Sequence, residues 1–365
     1  MSIECRKNIC TVDGRGVDIY VLENRNGMRV EITNYGCIVL RLCVPDRNGQ
    51  LGDVVLGYDD IGEYIRTGTV HGSVVGRYAN RIGDAAFTLD GVRVELSKND
   101  NGNHLHGGFR GFHRVVWAPE VHHDGLEERL SLEYLSPDGE EGYPGNLMAQ
   151  VVYTLREDNA LTVEYRATTD RPTIVNLTNH AFFNLSAMAA PNVLDHSLSI
   201  DAEAITAVGP GLIPTGELLP VAGTPFDFRA AKAIGKEIES DHPQMTGLGG
   251  YDHNFAINPG NPNRAAIELS DPLSGRVMRI YTTTPGVQLY TGNGFDGSEV
   301  GKDGTHYQRW AGLCLETQFF PDSVNHAGFR SPILRPGETY RQETVYQFSL
   351  MKRNQTSCFE GSGKT

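Results

Sequence analysis

The chain has 365 residues, of which 39% are apolar and 21% charged, with a formal net charge of -13. This length and apolar share allow a large buried core. The acidic balance repels polyanions and argues against nucleic acid and anionic membranes as partners.

The opening Met1-Ser2-Ile3-Glu4-Cys5-Arg6-Lys7 is polar where a secretion signal would be apolar. No window holds the roughly 18 apolar residues of a membrane-spanning helix, so a cytoplasmic protein is expected. In chain order, strand-length apolar or alternating segments run over Val17 to Leu22, Met28 to Thr33, Ile38 to Val44, Val92 to Leu96, Leu130 to Leu135, Leu147 to Leu155, Leu161 to Thr168, Arg276 to Thr282 and Thr344 to Leu350. Turns such as Asp46-Arg47-Asn48-Gly49 and Leu89-Asp90-Gly91 separate them. Helical periodicity is confined to Asp227 to Ile238 and a short stretch around Asp59 to Tyr64. The pattern predicts an all-β fold, a large antiparallel β-sandwich or barrel, rather than alternating helices and strands.

No linker or repeat interrupts it, so residues 1–353 read as one domain. The polar, Gly/Ser-rich residues 354–365 read as a disordered tail. Six cysteines scattered without a C-x-x-C pair predict reduced, mostly buried thiols rather than a zinc cluster or a disulfide framework.

Six segments carry candidate chemistry. In Leu313-Cys314-Leu315-Glu316-Thr317-Gln318, alternation places Glu316 on the face opposite two leucines. Partial desolvation in a cleft there would raise its proton affinity and suit it to general base work. His180 follows Asn176-Leu177-Thr178-Asn179, whose amide and hydroxyl groups could fix its tautomer. Asn103-His104-Leu105-His106-Gly107-Gly108 reads as extended and so places His104 and His106 on one face, a spacing used by metal sites and by hydrogen-bonding sites alike. No third ligand follows in the next few residues, so no metal is assigned. Gly76-Arg77-Tyr78-Ala79-Asn80-Arg81-Ile82 carries two guanidiniums and an amide that could bind hydroxyls, although arginines near turns are ordinarily solvated. Tyr251-Asp252-His253-Asn254-Phe255 and Gly286-Val287-Gln288-Leu289-Tyr290 set short polar groups beside aromatics, a composition suited to carbohydrate. The formal G-x-G-x-x-G at Gly292 to Gly297 opens no helical pattern and is dismissed as a dinucleotide site.

In order and spacing the runs from Gly76 to Ile82, Asn103 to Gly108, Asn176 to Leu185 and Leu315 to Gln318, together with Ser136-Pro137-Asp138-Gly139-Glu140-Glu141-Gly142-Tyr143-Pro144-Gly145, resemble the aldose 1-epimerases, also called galactose mutarotases. The resemblance spans roughly Val17 to Leu350. It implies the mutarotase-like β-sandwich, with Glu316 as general base and His180 as general acid. Asn80, Arg81, His106, Asp252 and Gln288 would then lie at the sugar. It further implies interconversion of the α and β anomers of a free aldose, a small-molecule substrate, without cofactor or metal, by a monomer or homodimer.

Overall fold

The computed structural model describes residues 2–123, 128–258 and 264–352. The expected tail lies outside them. Every named strand pair in the described residues is antiparallel, and two large sheets stack face to face. The larger has nine strands, in the order Ala118–His123, Glu128–Ser136, Leu147–Leu155, Ala160–Thr169, Tyr340–Leu350, Arg276–Thr282, Ile267–Ser270, Ser197–Ile200 and Lys232–Ala233. The smaller has six, in the order Phe182–Phe183, Leu313–Gln318, Gly286–Tyr290, Asp252–Ile257, Ala202–Val208 and Pro214–Pro220. Ser2–Val12, Arg15–Glu23, Arg29–Thr33, Val39–Pro45 and Leu51–Asp53 form a further five-stranded sheet.

The layers follow from alternation. Leu313 and Leu315 on one strand, and Tyr346 and Phe348 on another, turn into a shared core with Val163, Tyr165 and Ile280. The two sheets touch directly where Thr317 Oγ1 and Thr344 Oγ1 lie 2.7 Å apart and where the Phe183 and Tyr346 rings lie 5.6 Å apart. The alternate residues of the Leu313–Gln318 strand therefore face away from this core, and Glu316 is among them.

Each expected strand is present, with ends shifted by a few residues at most. The expected helix near Asp59 to Tyr64 runs instead over Ile61–Thr67, because Asp60 caps Gly62 N–H and Gly68, at φ 61°, closes the other end. Asp227 to Ile238 is not a helix. It holds the two-residue strand Lys232–Ala233 and a 3₁₀ turn at Ile234–Lys236. Its backbone donors go outward, Ile234 N–H to His196 O and Gly235 N–H to Leu194 O, so tertiary pairing overrides the local periodicity. Of the described cysteines none is in a disulfide. Cys37 and Cys314 are buried, Cys10 and Cys43 half-buried and Cys5 exposed, so burial is less general than expected.

Arg77, a candidate for hydroxyl binding, is instead a buried strut. Its guanidinium donates to Ser136 Oγ and O, Pro137 O, Pro144 O, Gly145 O and Thr173 Oγ1. Arg77→Met would leave four backbone carbonyls without their donor, and is expected to destabilise the protein by about 3 kcal/mol or more, measured as a shift of the urea midpoint at constant m-value.

Candidate active site

The face of the six-stranded sheet that points away from the core is a grid set by strand register, since directly opposed residues share a face. One row runs Phe182, Cys314, Tyr290, Asp252. The next runs Glu316, Gln288, Asn254, and the third Gln318, Gly286, Ala256. His180, two residues before Phe182, lands beside Glu316, with Nε2 3.5 Å from Oε1.

His106 completes the centre. Its ring meets that of His180 edge to face at 5.1 Å, and its Nδ1 accepts the Asn80 backbone N–H at 3.1 Å, while His106 N–H donates back to Asn80 O. This reciprocal clasp leaves the proton of a neutral His106 ring on Nε2. It requires left-handed backbone at both residues, φ 63° at Asn80 and 51° at His106. Gly107 lets the chain pass, because a Cβ there would sit 1.7 Å from the Gly76 carbonyl oxygen.

The turn at His106 also overturns the expectation that His104 and His106 share a face. The extended segment ends at Leu105. His104 is buried with Nδ1 at 2.8 Å from Ser97 O and Nε2 at 2.6 Å from Tyr143 Oη, away from the site. Tyr143 belongs to the Ser136 to Gly145 segment, which has a supporting role: Glu141 accepts the backbone N–H groups of Phe109 and Arg110.

The remaining predicted residues close the ring. Gln288 Nε2 donates to Asp252 Oδ1 at 2.7 Å. Arg81 pairs with Asp100, its Nε 2.8 Å from Oδ2, and its charge acts on both Asp252 and Glu316. All seven predicted residues thus fall into one cluster. The partner of His180 Nδ1 is the Cys314 thiol at 3.4 Å, rather than the neighbouring amides and hydroxyl expected from the sequence. Asn176 and Asn179 spend their side chains on the backbone. The sequence gives no signal for Asp100, since nothing in the polar loop around it separates it from a solvated residue.

Burial governs the electrostatics. Desolvation, with the charge of Asp252 beside it, pushes the Glu316 carboxyl well above the usual range against the pull of Arg81. Desolvation pushes His180 down to about 3, with His71 and His113 adding to it and its own backbone carbonyl opposing. His106 lies well below the ordinary imidazole value through burial and the nearby His180 and Arg81. Burial also raises Asp252, and raises the Cys314 thiol well above its usual value. Burial therefore favours the uncharged form of both partners in the ligand-free site, the carboxylic acid and the neutral imidazole. One ligand atom from each of His106, His180 and Glu316 lies within 4.8 Å of the others, so the same trio could hold a metal ion.

Two stacked antiparallel sheets with an imidazole and a carboxyl poised on one face, among amides, a guanidinium and aromatic rings, define a sugar-acting acid/base protein of the mutarotase-like class. A profile of the aldose 1-epimerase family matches residues 18–347. The galactose mutarotase of Bos taurus is 45% identical over 323 residues, covering 88% of this chain and 92% of that protein. The aldose 1-epimerase of Escherichia coli K12 is 38% identical over 339 residues, covering 92% and 96%. The solved structure of a galactose 1-epimerase from Lactobacillus acidophilus superposes with a TM-score of 0.86 at 29% identity, covering 96% and 99%. The chain belongs to the aldose 1-epimerase family.

The lowered proton affinity of His180 predicts that its ring stays neutral on acidification from neutrality to about pH 5, below the ordinary imidazole value. Ring nitrogen shifts in a pH series measure this. A titration of His180 near the ordinary value would contradict the electrostatics described above.

Proposed function

We propose that this protein interconverts the α and β anomers of free aldoses such as glucose and galactose, with Glu316 as general base and His180 as general acid. The observation that carries the reading is the buried His180–Glu316 contact at 3.5 Å on a face lined by hydroxyl-binding groups. Glu316 takes the proton of the C1 hydroxyl while His180 protonates the ring oxygen. The C1–O5 bond breaks, giving a C1 aldehyde and a C5 hydroxyl. Rotation about C1–C2 and reclosure with the roles reversed yields the other anomer. Proton transfer suffices for each step.

The site's electrostatics suit this cycle. Ring opening converts a carboxylate and an imidazolium into a carboxylic acid and a neutral imidazole. Burial favours that second state on both partners. The open-chain aldehyde is thus paired with the protonation state the desolvated site prefers. Arg81 and His106 Nε2 can stabilise charge on the reacting oxygens, and Asn80, Asp252 and Gln288 can hold the other hydroxyls through the rotation.

We place residues 1–353 in one domain, supported by a core cluster that runs from Tyr20 to Phe348. No helix among the described residues is long and apolar enough to cross a membrane. The unpaired cysteines support a reducing, cytoplasmic setting, and either a monomer or a homodimer fits this reading.

Glu316→Gln is expected to lower turnover of fresh α-D-glucose and α-D-galactose by about 10²- to 10⁴-fold in polarimetry. Sugar affinity by calorimetry should change by only a few-fold; near-wild-type rates would remove Glu316 from the base role. The pair needs one proton between its members. Protonating His180 beside a protonated Glu316 removes the base, and losing the last proton removes the acid. The acid limb is therefore expected to fall only toward the His180 value of about 3, below the ordinary imidazole value, once the spontaneous rate is subtracted.

A further inference from the structure

Among the described residues, six of the fourteen buried side-chain polar atoms without a hydrogen-bond partner lie on one small patch. Both amide atoms of Asn254, both of Gln318, Gln288 Oε1 and Glu316 Oε2 are all unpaired. Asn254 is 1% exposed and Gln318 fully buried, so neither amide is satisfied by bulk water. Leaving such a group without a partner is costly. Native proteins hold few of these groups, so a cluster of them needs a reason.

The register supplies a common location. Asn254 is in the row of Glu316 and Gln288, and Gln318 is in the next row, two residues beyond Glu316 on the same strand face. Between them is Gly286, opposite both Ala256 and Gln318. A Cβ on Gly286 would come within 2.6 Å of Asn254 Oδ1 and 2.9 Å of the Phe320 ring. The missing side chain is therefore what admits the Asn254 amide, and Phe320 walls that end of the face.

Resting on the mutarotase reading, we infer that Asn254 and Gln318 form a subsite beyond the reacting pair, which takes an uncharged hydroxyl group of the sugar. Each amide offers donors and an acceptor, matching a hydroxyl that both gives and receives. Neither carries a charge that would offset the desolvation of a phosphate or carboxylate there. The two sources of such a hydroxyl adjoining the reacting atoms are the one on C2 and the hydroxymethyl on C5. The subsite thus reads the sugar next to its reacting centre and sets which aldoses are turned over well.

Anomer exchange of glucose, 2-deoxyglucose and xylose by wild type, Gln318→Leu and Asn254→Leu tests this, with thermal midpoints measured on the ligand-free proteins. Wild type should favour glucose over whichever analogue lacks the bound hydroxyl by about tenfold or more in kcat/KM, and either substitution should collapse that ratio toward one. A collapse with 2-deoxyglucose assigns the C2 hydroxyl, and one with xylose the hydroxymethyl. Replacing an unpaired buried amide by an apolar side chain should leave the midpoint unchanged or raised. Ratios unchanged for both analogues would overturn the subsite. Failure of both variants to fold would do so too, assigning the amides to the fold. A wild type inactive on every sugar would instead refute the mutarotase reading itself.

Discussion

A carboxyl group held on a core strand with almost no access to water is the constraint around which the rest of the site is arranged. Glu316 is 2% exposed, and its strand is flanked on one side by Gly286–Tyr290 and on the other by Phe182–Phe183. An isolated carboxylate in that position would be costly, so the group keeps its proton unless something nearby takes it. His180 is the base within reach, and burial makes it an equally reluctant cation. Desolvation thus acts on the two partners in opposite senses and ties their protonation together.

Precision comes from how each partner is held. His180 is fixed between the Cys314 thiol, the Phe182 ring and His106. His106 is fixed by the two-way backbone clasp with Asn80, and Arg81 by Asp100. These anchors are backbone groups or short-range partners, so each side chain has little rotamer freedom left to lose when a sugar binds. The Ser136 to Gly145 segment, prominent in the sequence, contributes at one remove: Tyr143 and Glu141 brace the loop that carries His106, and its carbonyls accept from Arg77.

The sheets and the position of Glu316 were legible in the sequence because alternation is a local property: two leucines facing one way put the carboxyl on the other side. What depends on backbone conformation or distant partners was not. The left-handed turn at His106 separates it from His104, and two imidazoles spaced by one residue do not announce that. Arg77 reads like any arginine near a turn, yet its partners lie 59 to 96 residues further along the chain. The stretch from Asp227 to Ile238 has helical spacing, but its donors are claimed by residues 194 and 196. Asp100 and Cys314 acquire meaning only once the fold brings them against Arg81 and His180.

The order in which the grid is assembled has a consequence for folding. His180 and Glu316 are 136 residues apart in numbering, and the clasp, the Gln288–Asp252 bond and the Arg77 strut each join their own separate stretches of chain. Contacts this distant in sequence close only after the intervening loops have paid their entropy, late in folding and together. Only a stretch reaching from Arg77 to Glu316 contains the pair together with all of these supports. Turnover therefore reports on the whole tertiary structure, and a partly folded chain is silent rather than weakly active.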